Sequence, residues 1–314
     1  MKLLKDEKQK NNQISFFKKF VLKIFLFFLA LGFLILSFLF FSSLLINKNF
    51  PAVIFFDVGQ GDAILLRNIG GKNILIDGGP DNLVIKKLGK FLPYFSRRLD
   101  LVVLSHYHDD HALGLIESMV RYKIRTLILA QGAKNGAIQD LLLSLSAESK
   151  RGTEVKRGIE TKRGAETGVI YIDTWAEYSL GSCDLFFLNP RFLEIPENDN
   201  NSLITKLNCP NLDFLFSGDN EIEVEKALLG ASDLLRGLGV ELQVDVFKAS
   251  HHGSKTSNSY EFLELISAKI FVISVGLNNR FNHPAQEILE RVKEMGLSIK
   301  RTDINGDIVF PIDF

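Results

Sequence analysis

The chain has 314 residues, 46% of them hydrophobic, enough for two average domains or for one α/β domain of more than about 200 residues. Its formal net charge of zero is unevenly placed: residues 1–50 hold 8 Lys and Arg against 2 Asp and Glu, leaving 51–314 with 29 basic and 35 acidic side chains, a net of −6. That mildly acidic bulk counts against broad electrostatic capture of nucleic acid, although metals and a local patch could hold one strand.

From Ile24 to Ile46 there are 23 residues without a charge. As a helix they would run about 35 Å, enough to cross a hydrocarbon core of about 30 Å, so a transmembrane helix is expected. Lys2, Lys5, Lys8, Lys10, Lys18, Lys19 and Lys23 precede it against Asp6 and Glu7, while Lys48 is the only charge between Ile46 and Asp57. The positive-inside bias then puts residues 1–23 in the cytoplasm and the C-terminal part outside. A cleaved signal peptide is the competing reading, but Asn47-Lys48-Asn49-Phe50-Pro51-Ala52 is a poor cleavage site. The cysteines, Cys183 and Cys209, lie too far downstream for a lipobox, make no disulfide framework and carry no redox motif.

Beyond the span, Val53–Val58, Ala63–Arg67 and Asn73–Ile76 are short apolar runs separated by Gly59-Gln60-Gly61-Asp62 and Asn68-Ile69-Gly70-Gly71, the pattern of a β-meander. A helix follows near Leu83–Phe91, stopped by Pro93, then an apolar strand over Leu99–Leu104 and a helical stretch over Ala112–Val120. Residues 150–167 repeat a Lys-Arg-Gly unit of six residues three times. Period six matches no helical face and three copies build no core, so a solvated surface insertion is expected, with Arg151, Arg157 and Arg163 as a basic arm in the sharper alternative. Thr126–Ala130, Asp184–Leu188, Ser202–Leu207, Leu212–Phe216, Val244–Lys248 and Ile270–Val275 read as strands. Helices fit Glu221–Leu235, Tyr260–Ser267 and Ala285–Met295, the last with Pro284 at its first turn. Helices outside two sheets is the expected architecture.

All six histidines fall in three short places, each a turn after a predicted strand: His106/His108/His111, His251/His252 and His283. In extended backbone, side chains two apart project to the same side, so His106 and His108 can grip one cation together. Asp110 and His111 come where the chain turns into a helix, which redirects them toward a second cation. Imidazole and carboxylate without thiolate suit Zn²⁺ or Mn²⁺, and paired sites are the usual arrangement of two-metal hydrolysis. Asp219 ends an apolar strand, where it can bridge two cations or cap the following helix. His251 and His252 can be ligands or core histidines held by backbone. His283, ahead of Pro284 at a helix start, is placed for an anionic group or for plain capping.

The segments Asp57-Val58-Gly59-Gln60-Gly61-Asp62-Ala63, Ile76-Asp77-Gly78-Gly79, Ser105-His106-Tyr107-His108-Asp109-Asp110-His111, Ser217-Gly218-Asp219, His251-His252-Gly253-Ser254 and Asn279-Arg280-Phe281-Asn282-His283-Pro284 together resemble the metallo-β-lactamase superfamily. More narrowly, they resemble the C-terminal hydrolase domain of the ComEC competence proteins, over about Val53 to Phe314. The resemblance implies an αββα sandwich with a dinuclear site. His106 and His108 would hold the first metal, Asp110 and His111 the second, and Asp219 would bridge. One of His251 and His252 would complete the second site, His252 being favoured, and the other would contact substrate phosphate. Asp62 and Asp77 would orient ligands from outside, or serve as turn residues. Two departures stand out. Leu188-Asn189-Pro190 occupies the place where many members supply a third histidine to the first metal, and the chain has room for one membrane span rather than a channel.

The expectation is therefore a membrane-anchored hydrolase with two divalent ions, Zn²⁺ or Mn²⁺, cutting DNA or another phosphodiester. Asp110, His251 and His283 would be the candidate catalytic groups, and single-stranded DNA or a DNA-uptake channel protein the candidate partners. Ester, lactone or thioester hydrolysis, and a non-catalytic accessory subunit, are the alternatives.

Overall fold

The computed structural model describes residues 18–40, 50–93, 95–130, 136–146, 153–156, 159–162, 168–195, 198 and 200–313. They belong to two compact units, Met1–Asn49 and Phe50–Phe314. The first contains α1, Lys18–Phe40, a helix of 23 residues with mean hydropathy 2.6 and none of its surface buried, long and apolar enough to cross a membrane. Its described part reaches six residues before the predicted span, through Lys18, Lys19 and Lys23, which are themselves good helix formers. Residues 41–46 of that span, and the lysines before Lys18, lie outside the described residues.

In the second unit the meander forms as expected. Strands β1 (Ala52–Phe55), β2 (Ile64–Ile69) and β3 (Lys72–Ile76) run antiparallel, with β16 (Ile308–Pro311) on the outer side of β1. From β3 the sheet continues in parallel through β4 (Arg98–Val103), β5 (Lys123–Ala130) and β8 (Gly168–Ile172). A hairpin of β6 (Thr153–Lys156) and β7 (Ile159–Lys162) completes this nine-stranded sheet beside β8. The hairpin departs from the loop expected there: a period of six is a multiple of the strand period of two, so the repeat is compatible with a ladder. Arg151, Arg157 and Arg163 lie outside the described residues.

The second, seven-stranded sheet is antiparallel through β9 (Trp175–Leu180), β10 (Cys183–Leu188), β11 (Ile204–Asn208) and β12 (Phe214–Phe216). It then turns parallel through β13 (Val246–Lys248), β14 (Ile270–Ile273) and β15 (Ser298–Arg301). One apolar cluster lies between the sheets and includes Phe55, Phe187, Phe214 and Phe310; fully burying each such ring contributes about 1.5–3 kcal/mol. A second joins the first sheet to α2 (Leu83–Phe91), α3 (Asp109–Arg121) and α4 (Gly136–Ser146) through Leu88, Leu115 and Leu142. A third joins the second sheet to α5 (Ile222–Gly230), α7 (Tyr260–Ile266) and α8 (Gln286–Glu294) through Leu228, Phe262 and Ile288. The layers are thus helix, sheet, sheet, helix. The helix predicted over Glu221–Leu235 is two, α5 and α6 (Ser232–Gly237), parting at Ala231 just after Gly230, a poor helix former.

The cysteines correct the sequence reading, because Cys183 and Cys209 form a disulfide. The β10–β11 register sets Asp184 opposite Asn208 and so brings the next pair, one residue out, to a Cα separation of 4.4 Å. Bridging 26 residues of sequence contributes roughly 3–4 kcal/mol in the chain-entropy picture.

The parallel strands position the site. The chain leaves the C-terminal ends of β3 and β4 in one sheet, and of β12, β13 and β14 in the other, into loops at one edge of the sandwich, the place where open α/β sheets bind ligands. Close backbone approach brings two of these loops together. Gly78 N donates to His111 O at 2.7 Å and Gly114 N to Gly79 O at 3.0 Å. A Cβ on Gly114 would meet Gly78 O at 1.9 Å, so only glycine lets α3 press on the end of β3.

Candidate metal centre

Asp109 and Asp110 open α3, where carboxylates complement the positive end of the helix, and His108 caps it in extended conformation. That start is three residues earlier than expected and puts Asp110 and His111 in the first turn. After β13 the chain passes through His251 and His252 with φ of 48° and 54°, a left-handed conformation that non-glycine residues avoid at a cost of order 1 kcal/mol or more each. This kink splits the two rings.

Three imidazoles are each anchored through Nδ1. His111 Nδ1 lies 2.8 Å from Asp77 Oδ2, and Asp77 is fixed in turn by Ser105, whose N and Oγ donate to it at 2.8 and 2.7 Å. His252 Nδ1 donates to the Ser274 carbonyl at 2.9 Å, which leaves Nε2 to face the pocket. His106 Nδ1 lies 3.1 Å from Ser105 Oγ and 3.2 Å from Ser202 Oγ. Both hydroxyls spend their hydrogens elsewhere, on Asp77 and on Asn200 O, so His106 Nδ1 is the donor.

All three Nε2 atoms therefore aim at one place, around Asp219. His111 Nε2 is 3.3 Å and His252 Nε2 3.6 Å from Asp219 Oδ1, and His106 Nε2 is 3.7 Å from Oδ2. His252 Nε2 also lies 3.3 Å from Asp110 Oδ2. Among the described residues none of the three Nε2 atoms, nor Asp219 Oδ1, has a hydrogen-bonded partner, although all are buried. Buried polar atoms are normally satisfied, and four unsatisfied ones converging on a point fit a cation. Around Asp219 the ligand atoms form two groups of at most 4.8 Å spread, Asp110/His111/Asp219/His252 and His106/His108/Asp219, beside a third, Asp62/Asp77/His111, that lacks it. Asp219 belongs to the first two, and imidazole with carboxylate suits a divalent metal such as zinc.

The charge balance agrees. Burial disfavours ionised Asp219, but the rings of His252, His111 and His106 outweigh it and hold the carboxyl well below the usual range. Burial likewise opposes Asp110, and His252 and His111 again lower it. His111 stays well above an ordinary histidine, against burial, because Asp219 and Asp77 face it; Asp219 and Asp62 raise His252 in the same way. Burial and the neighbouring His111 push His106 well down. A metal ion would thus displace protons from His111 and His252, and would meet a free nitrogen on His106.

The other expected residues lie around this core. Asp62 is buried, with Oδ1 3.5 Å from His252 Nδ1 and Oδ2 3.9 Å from His111 Nδ1. His251 lies outside the two groups: its Nε2 is 3.8 Å from Asp219 Oδ2 and its Nδ1 3.4 Å from Glu221 Oε1, and burial lowers its affinity for protons. His283 is further out, its ring 5.6 Å from that of His251, and burial, then His252 and His251, push it down to about 4. His283 is not at a helix start. Ala285 N donates to Gly253 O, Ala285 is the N-cap, and α8 begins at Gln286, two residues after Pro284. Asn189 is turned into the backbone, donating to Ile172 O and accepting from Arg191 N.

Four residues escaped the sequence reading. Lys248, fully buried, places Nζ 2.5 Å from Asp62 Oδ2. A lysine closing an apolar strand just before His251 was a usable signal for it. Ser105, which holds Asp77, Ser202, which faces His106, and Glu221, which faces His251, carried none.

Residues 56–178 match the model of the metallo-beta-lactamase superfamily. The chain carries a metallo-beta-lactamase domain. It is similar to ComE operon protein 3 of Bacillus subtilis, 28% identical over 278 residues, covering 82% of this chain and 32% of that protein. Competence protein ComA of Neisseria gonorrhoeae is 27% identical over 272 residues, covering 84% and 32%. The chain spans about a third of the length of these curated relatives. In fold it is similar to the metallo-beta-lactamase fold protein YhfI from Bacillus subtilis, with TM-score 0.51, 13% identity, and coverage of 83% of this chain and 99% of that one.

Proposed function

We propose that this metallo-beta-lactamase domain is a dinuclear phosphodiesterase, residues 51–314, carried outside the cytoplasmic membrane on one N-terminal span. The observation that supports it most is the convergence of the buried Nε2 atoms of His106, His111 and His252 on Asp219, all without hydrogen-bond partners. His106 and His108 would hold one ion, Asp110, His111 and His252 the other, and Asp219 would serve both. Two bound divalent ions supply activation of water and neutralisation of charge on a phosphoryl oxygen.

The chain's own residues do the rest. Asp77 and Ser274 hold His111 and His252 by Nδ1, so that neither ring turns as substrate enters. His251, with Nδ1 toward Glu221, presents Nε2 at the pocket to take a proton from the attacking water and return it to the leaving oxygen. His283 stands beside it toward solvent, placed to hold an anionic group of the substrate. The names of the relatives, a competence protein among them, favour DNA as the phosphodiester. A partner in a DNA-uptake channel belongs to the same reading.

The disulfide supports the outside location independently of the lysine bias, since such bonds persist in oxidising compartments. Full-length protein in detergent, supplied with Mn²⁺ or Zn²⁺, is expected to hydrolyse bis-p-nitrophenyl phosphate and single-stranded DNA. Asp110→Asn is expected to abolish turnover. Folded protein that cleaves neither with any metal, or that cleaves only carboxylic esters, lactones or thioesters, contradicts the reading.

A further inference from the structure

The loop between β14 and α8 ends beside the metal centre and carries a row of rings and charge. His283 lies edge to face with His251, ring centroids 5.6 Å apart. Phe281 is stacked on His283, with centroids 5.8 Å apart and planes 14° from parallel. The Arg280 guanidinium lies over Phe281, 4.8 Å from the ring centroid. Phe281 is nonetheless 48% exposed and Leu277, on the same loop, 73% exposed. Burial does not explain this aromatic ring.

The loop is fixed from within. Asn279 Nδ2 donates to Gly276 O at 3.0 Å and to His283 O at 2.6 Å, while its Oδ1 accepts from Phe281 N and His283 N at 3.2 and 3.0 Å. One side chain thus staples both ends of the turn, and Phe281 is held out to solvent on a prepared support. An exposed aromatic face with a guanidinium above it and a short ladder of rings leading to a hydrolytic centre suits a flat, anion-linked ligand.

We infer that Phe281, flanked by Arg280 and His283, is a stacking platform for the nucleobase next to the phosphate being cut, which makes unpaired nucleic acid the preferred substrate. This rests on the phosphodiesterase reading for the position of the phosphate. Arg280 swings off Phe281 to meet the adjoining backbone phosphate, and the base takes its place against the ring. A paired base is already stacked within its duplex and offers no free face, so single strands are favoured over double strands.

The test compares a single-stranded oligonucleotide with the same backbone made abasic throughout. Steady-state cleavage and fluorescence-anisotropy binding are measured on the full-length protein, the binding in EDTA so that nothing is cut. Wild type is expected to prefer the base-bearing strand in both KM and Kd. Phe281→Ala is expected to shrink that preference by roughly 5- to 100-fold, the range for losing one stacked base, and Phe281→Trp to restore it. Base-dependent binding that needs Phe281, without cleavage of either strand, keeps the platform and sinks the phosphodiesterase reading. Cleavage that is indifferent to bases, or a preference unchanged in Phe281→Ala, sinks the platform and leaves that reading standing. Failure to bind either strand overturns the platform as well.

Discussion

Asp219 and Glu225 are six residues apart, both carboxylates and both almost wholly buried, yet they do opposite things. The oxygens of Glu225 accept from Asn258 N and Ser259 N at 2.5 and 2.9 Å, while Arg291 donates to Asn258 O, so the group spans a loop with its bonding capacity used. Asp219 faces three imidazole nitrogens at 3.3–3.7 Å and leaves Oδ1 unpaired. Burial of a carboxylate therefore does not mark a metal centre. Directed donor atoms left unmet do.

The comparison breaks most sharply by substitution at the two positions. Asp219→Asn is expected to lower metal affinity and activity by more than the roughly 100-fold that losing an outer partner costs, with the fold retained by circular dichroism. Lys248→Met removes the lysine paired with buried Asp62. It is expected to cost about 3–5 kcal/mol in chemical denaturation and to weaken metal binding roughly 10- to 100-fold, because the unpaired carboxylate no longer sits still behind His252.

Glu225→Gln sharpens the contrast from the other side. It turns an acceptor into a donor against a backbone N–H and is expected to cost about 1–3 kcal/mol while leaving metal content unchanged. A partly buried carboxylate with lysine partners sets the lower bound. Burial opposes ionised Asp307, but hydrogen bonds from Lys87 and Lys90 outweigh it and depress its proton affinity. Its contribution is therefore full above the unfolded-state value near 4 and is lost as pH falls through the lower folded value. Asp307→Asn is expected to cost about 1 kcal/mol at neutral pH and to flatten that acid limb in thermal melts read from pH 7 down to 3.

Much of this was legible in the amino-acid order where one residue type dictates one place. Helix α2 runs over the predicted Leu83–Phe91 because its apolar positions repeat at helical spacing and Pro93 stops it. Asp77, Asp219 and the histidines were visible because polar side chains directly follow apolar strands. Strands β9 and β15 were not, since Trp175–Leu180 and Ser298–Arg301 are edge strands with few buried positions and no clear alternation. The disulfide depends on the register of β10 against β11, which spacing in sequence does not encode. Ser202 faces His106 across 96 residues, a proximity set by packing of two sheets.

Equilibrium dialysis of the folded, full-length protein against Zn²⁺ or Mn²⁺, followed by elemental analysis, tests the centre most directly. Wild type is expected to retain divalent metal, up to two ions per chain, and Asp219→Asn to lose most of it while Glu225→Gln keeps it. A folded wild-type protein that retains none, or an Asp219→Asn variant that retains as much as wild type, would contradict the assignment of those unpaired nitrogens to a metal.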